Sequence, residues 1–438
     1  MEIRDPIHGT MDISTAEEEI LDSRVFQRLR QIKQLGFSEF SFPGGTHNRY
    51  IHSLGAHYLA GLAFDSIFQN YDFGSPETHK RLKQCVRLGA LLHDVGHGPL
   101  SHTTEEVMPK LGAVGVKAYE NLRTDIPVPE DHTDPDRQAD HEDYTIKFIT
   151  DSPLTEIIER NFSDIKPLHV ACLIDKTLAA PDDFFMDKGI DFRGILSQIV
   201  SSELDVDRMD YLLRDAYFCG TDYGRIEWEW LLDNMTFNVV DNKMYLALAK
   251  RALYAFDDFL ISRHHMNLNL YFHHKSVIYE EMLHRYLTSK DCSFFLPPEI
   301  DKYIQCTDYA LYEHLSKVDN DWAKRITERR IYKVLFEYHV TGDASRVDNV
   351  EKALNKAGIP LIRAGSSARL SKYHGGSTVE KSFPIYVVDP YDPKSNPYPI
   401  EESTSIFQKY DEIRRIERIY VPPEKYAEAR ALFVSEDL

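Results

Sequence analysis

Apolar positions recur at helical spacing through most of the first 290 residues. Between 15 and 35, Ile20, Leu21, Val25, Phe26, Leu29, Ile32 and Leu35 repeat with that period, and Gly36 stops the run, so one helix is expected there. FPGGTHN (42–48) has turn chemistry. Further helices are expected over 49–70, with His52 near the start, and over 78–94. Another starts at His141-Glu142, a long one covers 195–218, and aromatic- and histidine-rich helix covers 250–290. The stretch 123–140 is acidic, proline-containing and poor in apolar residues, which predicts a mobile loop or an insertion. After Arg330 the pattern changes. YKVLFEYHV (332–340) and FPIYVVD (383–389) read as strands, VDNVEKALNKAG (347–358) and PEKYAEARALF (423–433) as helices, and DPYDPKSNPYP (389–399) as a loop. The expected fold is mainly α, with a helical domain over 1–290 and a smaller α+β region over 291–438, a ferredoxin-like strand-and-helix layer with assembly or regulatory contacts. No internal repeat is visible.

Composition narrows the class. A content of 42% hydrophobic and 28% charged residues is that of a folded, soluble chain. No apolar run is long enough to cross a bilayer. The N-terminal MEIRDPIHGT lacks a signal-peptide core, so a cytoplasmic protein without membrane contact is expected. The five cysteines are odd in number and form no CxxC, which argues against a disulfide framework or a thiolate zinc site. A net charge of −19 argues against a nucleic-acid partner, although local arginines can still hold one small anion.

Candidate chemistry sits at His52, His93-Asp94 and Asp207. Two imidazoles and two carboxylates form a mixed N/O donor set, suited to a divalent ion acting on phosphate oxygens. Helical neighbours such as His93 and Asp94 point about 100° apart, so they can share an ion only beside a helix end. The glycine-rich VGHGPLSH (95–102) supplies that end. An HD dipeptide alone is weak evidence, but HDVGHGPLSH places three histidines in ten residues. In SSELDVDRMDYLLRDAYF (201–218), Asp207, Tyr211 and Asp215 follow i, i+4, i+8 and share one helix face, whereas Asp210 and Arg214 read as part of a solvated charged face.

DPIHG (5–9), FQRLRQIKQLG (26–36), FPGGTHNRYIHSLG (42–55), LLHDVGHGPLSH (91–102), DHEDYT (140–145) and LDVDRMDYLLRD (204–215) together resemble the HD-domain deoxynucleoside triphosphate triphosphohydrolases, in the branch of the vertebrate SAM- and HD-domain dNTPase and its bacterial relatives. Weaker similarity continues through 250–275 and RRIYK (329–333). The resemblance implies an HD-type helical fold, hydrolysis of a dNTP to deoxynucleoside and inorganic triphosphate, and one metal ion per subunit held by His52, His93, Asp94 and Asp207. Fe, Mn, Zn, Ni or Mg suits that donor set, with Mg also expected on the nucleotide.

Further roles follow from the resemblance alone. His102 would protonate the departing 5′ oxygen, with Glu105 standing where the family has an aspartate, and His97, His141 and Glu142 would act around the phosphates. Gln34 and Leu35 would lie near base and sugar, and Arg49, Arg208 and Arg263 would bind phosphate oxygens. Tyr211 would pack on the deoxyribose and Asp215 would accept from its 3′-OH. Simple core packing is an equal reading of Leu35. Asp22, Gln27, Arg30, Arg329 and Lys333 match a regulatory guanine-nucleotide site, which implies dGTP or GTP activation and a homo-oligomer, dimer or tetramer. Asp22, Gln27 and Arg30 read equally as exposed positions of an amphipathic helix. Two alternatives remain: another HD phosphohydrolase, acting on monophosphates, cyclic nucleotides or single-stranded ends, and a non-catalytic nucleotide sensor. The intact histidines count against the sensor.

Overall fold

The computed structural model describes residues 1–340, 345–368, 378–392, 394–403 and 414–435. The chain opens with an antiparallel hairpin, Glu2–Asp5 paired with Gly9–Asp12. The helix expected over 15–35 is broken. Thr15–Asp22 is helical behind a Ser14–Glu17 capping box, but Ser23 adopts extended backbone and its hydroxyl caps a second short helix, Arg24–Gln27. A 3-10 turn, Arg28–Gln31, follows. The break has a use, because it turns the Arg28 guanidinium into the interior.

Asn48 caps the Arg49–Ile67 helix by accepting from Ile51 N at 3.3 Å. This helix is central, packed between Pro76–Leu92 and Val206–Cys219. Gly55 permits the second contact: a Cβ there would lie 1.8 Å from Asp210 Oδ1. The helical pattern at 195–218 is two helices, Arg193–Val200 and Val206–Cys219, the second capped by Asp205. The 250–290 stretch is likewise divided, with a π-helical turn at Asn267–Tyr271 between Leu253–Met266 and His274–Leu287.

One β-hairpin was not expected. Met235–Val240 and Lys243–Ala249 pair antiparallel around Asp241 and Asn242, both at positive φ (50° and 60°). Tyr386–Val388 adds parallel to Lys243–Ala249, and Tyr398–Pro399 pairs with it, so the late strand returns to the first body. A separate three-stranded antiparallel sheet places Arg414–Val421 between Lys333–Val340 and Ile362–Ala368. With the helices Ser345–Lys356 and Tyr426–Ser435 it has the order of a ferredoxin-like layer, less a fourth strand among the described residues. Its core of Phe336, Val347, Val350, Leu354, Ile419 and Ala429 is its own. The large core does not stop at 290, because Phe294, Leu296, Tyr303, Leu311 and Ile326 belong to it. The 123–140 stretch carries no helix or strand, and Arg137 ties it to Asp143 at 2.6 and 2.7 Å. Among the described residues no helix is long and apolar enough to cross a membrane.

Asp210 and Arg214 correct the sequence reading. Neither is solvated, and both are fully buried. Arg214 donates to both oxygens of Asp210 at 2.8 Å and to Asp5 Oδ1 at 2.7 Å, joining the helix to the N-terminal hairpin. Helical spacing alone does not reveal this, because the hairpin that covers that face lies two hundred residues away. Arg214→Met is expected to cost about 3–5 kcal/mol in a urea titration, since it leaves two carboxylates buried without their cation. A loss under about 1 kcal/mol would show that the network does not hold the fold.

Candidate metal centre and cleft

The Pro76–Leu92 helix ends at His93, and the chain leaves it through Asp94 and the glycines. His93 Nδ1 donates to Ala90 O at 2.8 Å, which fixes the tautomer and leaves Nε2 buried without a hydrogen-bond partner. That atom lies 3.4 Å from Asp94 Oδ1 and 3.4 Å from Asp207 Oδ1. From the central helix, fully buried His52 donates through Nδ1 to Asp210 Oδ2 at 2.8 Å. Its Nε2 stands 3.0 Å from Asp207 Oδ1 and 3.6 Å from Asp94 Oδ2, without the alignment a hydrogen bond needs.

These separations fit a cation. Donors about 2.0–2.2 Å from one ion lie about 3.3–3.6 Å from each other at the tetrahedral angle and about 2.8–3.1 Å at a right angle. The electrostatics agree. Burial disfavours a charged His52, yet its contacts with Asp207 and Asp210 outweigh that and push it up to about 10. Against the same burial, His52 and His93 hold Asp207 far below the usual carboxylate range. Protons on the imidazoles do here what a divalent ion does when the histidines are neutral ligands. Asp210 is the outer partner that orients His52, and His8 Nε2 donates to its other oxygen at 2.7 Å.

The HD loop is braced from four directions. Thr145 Oγ1 accepts from Gly96 N and donates to His93 O. Arg28 donates to Val95 O and His97 O. Tyr303 donates to Gly96 O at 2.6 Å. Asp308 accepts from Leu100 N and Lys33 N at 2.8 and 2.9 Å, and burial pushes its carboxyl up to about 6. Leu100 and Ser101 take positive φ (54° and 60°), conformations that these bonds hold. Gly96 admits the approach of the His141 segment, because a Cβ there would lie 2.1 Å from His141 O.

Beside this donor set stands a triad of imidazoles. His97 stacks on His141 with centroids 3.8 Å apart and planes 15° apart, and His102 meets both edge-on at 4.9 Å. Glu105 Oε1 accepts from His102 Nδ1 at 3.1 Å and from His141 Nδ1 at 2.6 Å. The glutamate arm therefore reaches its histidine and serves a second one. The four groups come close enough for a metal. The stacking argues against one, because an ion cannot lie in two parallel ring planes nearly 4 Å apart. Burial, Arg49 and His141 hold His97 well below its ordinary value. Against burial, His102 and His141 keep Glu105 down at about 2.

The cleft encloses about 560 Å³. Of the sequence-predicted residues it brings together Gln34, Leu35, Arg49, His93, Asp94, His97, His102, His141, Glu142, Asp207, Arg208, Tyr211 and Asp215. Asp207, Tyr211 and Asp215 do share one face. Arg49 already spans Ser101 Oγ, at 3.0 Å, and Asp94, so it braces that carboxylate as well as facing the cleft. Arg208 is held by Asp205 and Ser202 O. Asp215 accepts from His47 at 2.8 Å and Tyr271 at 2.7 Å. Arg263 is not among the lining residues and pairs with Glu203 at 2.7 Å. None of the five regulatory candidates lines the cleft. Asp22 is exposed. Gln27 accepts from Arg30, which lies 3.6 Å over the Tyr50 ring, while Arg329 sits over Phe40 and Lys333 over Tyr426.

Sequence reasoning missed His8, Asp210, His47, Tyr271, Arg28, Thr145, Tyr303, Asp308 and Glu280. His8 lay in the quoted DPIHG motif without a role, and Asp308 carried no local signal.

An HD domain model matches residues 49–180, and an HD associated region model matches 226–357. An uncharacterized protein of Mycoplasma pneumoniae is 32% identical over 63% of this chain, which spans 56% of that relative's length. A deoxynucleoside triphosphate triphosphohydrolase SAMHD1 homolog of Dictyostelium discoideum is 26% identical over 98% of this chain and 76% of its own length. A hypothetical protein from Aquifex aeolicus has a crystal structure that matches at a TM-score of 0.72 and 25% identity, covering 99% of both chains.

His93→Ala is expected to abolish stoichiometric metal uptake, read by elemental analysis, and Asp210→Asn to weaken metal affinity about 10–100-fold through His52. Full metal content in His93→Ala would remove the assignment. Glu105 titrates below its ordinary value of 4.5, so its stabilising contribution is complete above that pH and fades as pH falls toward 2. The stability gap between metal-free wild type and Glu105→Gln should therefore be larger at about pH 7 than at about pH 3 in urea titrations. A gap that grows on acidification would contradict the assignment of that carboxylate.

Proposed function

The chain belongs to the HD-domain family of phosphohydrolases, and from that membership and its cleft we propose that it hydrolyses deoxynucleoside triphosphates to deoxynucleoside and inorganic triphosphate. The observation that carries this reading is the convergence of two unpartnered buried imidazole nitrogens, His52 Nε2 and His93 Nε2, on Asp94 and Asp207 at the wall of a nucleotide-sized cleft. Similarity to a named triphosphohydrolase over nearly the whole chain supports it.

His52, His93, Asp94 and Asp207 would hold one divalent ion. When bound, the ion supplies Lewis-acid polarisation of a phosphate oxygen and a lowered water pKa. The remaining work falls to the chain's own groups. Arg49 and Arg208 orient the phosphates, and each guanidinium is pre-positioned by a carboxylate. His97 and His141 face the developing charge. His102, two-thirds exposed and backed by Glu105, donates the proton to the leaving 5′ oxygen. Tyr211 and Asp215 receive the deoxyribose. Asp215 already accepts two hydrogen bonds, but a carboxylate has lone pairs left for a third. Arg263, paired to Glu203, has the weakest claim on phosphate. Guanine-nucleotide activation at Asp22, Gln27, Arg30, Arg329 and Lys333 would require another subunit to complete the site, which makes oligomerisation part of the same proposal.

Purified protein incubated with each dNTP and Mg or Mn should release inorganic triphosphate and deoxynucleoside. Release of only diphosphate or monophosphate would sink the reading. Adding dGTP to a dATP reaction should raise the rate, and no change in rate would remove the regulatory site.

A further inference from the structure

One group in the cleft has no part in this chemistry. Glu280 lines it on the His274–Leu287 helix. That helix docks on the Gly36–Phe40 turn: Ser276 Oγ lies 3.1 Å from Ser38 Oγ, and the Tyr279 ring packs 5.2 Å from Phe37 and 4.6 Å from Phe40. The turn follows directly on Gln34 and Leu35, so the docking brings Glu280 onto one wall with Gln34 and Ser38. Among the described residues no cation or hydrogen-bond donor meets the Glu280 carboxyl. Burial, with Glu281 beside it, pushes that carboxyl up to about 7. On the same wall Gln34 keeps its Oε1 buried and without a partner. Glu280 is half-buried and open to the cleft, so its acceptor sites are left for a ligand. A ligand that donates hydrogen bonds would satisfy them.

The proposed substrate offers such donors at one end only. Its phosphates are anionic and acceptor-only, so a carboxylate repels them, and the guanidinium groups of Arg49 and Arg208 attract them. The wall of Glu280 and Gln34 therefore faces the base. Bases differ in what they present. Guanine offers two parallel N–H groups, from N1 and its exocyclic amine, which match the two oxygens of a carboxylate. Thymine offers one N–H flanked by two carbonyl oxygens, which would face the carboxylate with like partial charge. Resting on the reading of the cleft as a dNTP site, we infer that Glu280 reads the nucleobase through its N–H donors and favours guanine over thymine.

The test measures binding of 2′-deoxyguanosine and thymidine to the metal-loaded full chain by calorimetry at about pH 8.5, where a carboxyl titrating at about 7 is ionised, in wild type, Glu280→Gln and Glu280→Leu. Deoxynucleosides carry the base and sugar without phosphate, so the readout needs no turnover. Wild type should bind deoxyguanosine about tenfold or more tighter than thymidine, because a site built for N–H donors rejects a base that lacks the pair. Both variants should close most of that gap. Equal affinities in wild type, or the same ratio in Glu280→Gln, would overturn the inference, and the first outcome needs no variant to fold. If no dNTP is hydrolysed yet deoxyguanosine still binds in a Glu280-dependent way, the substrate reading falls and the base reading stands.

Discussion

The structure turns on a single buried carboxylate. Asp210 has no solvent exposure and accepts from His52 Nδ1, His8 Nε2 and two nitrogens of Arg214, at 2.7–2.8 Å. Such a charge is costly to bury and is tolerated only where donors surround it. Here the donors come from three separate parts of the chain: the N-terminal hairpin, the central helix and its own helix. Satisfying Asp210 therefore fixes where those parts meet. It also fixes the ring of His52, and with it the direction of the nitrogen that faces Asp94 and Asp207.

The same logic extends along the HD loop. A glycine-rich segment with two residues at positive φ has little local reason to hold one shape. Arg28, Thr145, Tyr303 and Asp308 supply that reason from outside, each by bonding backbone groups of the loop or its flank. Asp308 also bonds the amide of Lys33, so the loop that carries the histidines and the segment that carries Gln34 are set by one carboxylate. Residues after 290 thus take part in shaping the cleft as well as in the large core.

Much of this was legible in the sequence, for physical reasons. The helices at 49–67 and 76–92 have explicit caps in Asn48 and Ser75, the second also has a clear apolar period, and the HD pair ends its helix where the glycines allow. The spacing of Asp207, Tyr211 and Asp215 places all three on the cleft. What the period missed is tertiary. Ser23 breaks a long pattern because its hydroxyl offers the backbone a competing bond, an effect that apolar spacing does not register. The hairpin of Met235–Val240 and Lys243–Ala249 turns on Asp241 and Asn242, both at positive φ, and Asp-Asn lacks the glycine that marks the strongest type I′ turns in a sequence. Asp210 and Arg214 look like any charged helical pair until the hairpin two hundred residues earlier covers them.

The triad of histidines shows how one cleft can hold three imidazoles with different tasks. His97 is buried beside Arg49 and stacked on His141, and both neighbours oppose a second positive charge, so it stays neutral. Against its own burial, His141 is raised by Glu105 and holds a proton more readily than His97 does. His102 shares the same glutamate but stands open to solvent, where a proton can be exchanged. A ring raised by a carboxylate, a ring lowered by burial and an exposed ring at one site separate charge stabilisation from proton transfer. That division is produced by one carboxylate, Glu105, reaching two rings at once, which an aspartate's shorter arm would reach less easily. The glutamate is then part of how the site sorts its protons, and a shorter acid is no simple replacement for it.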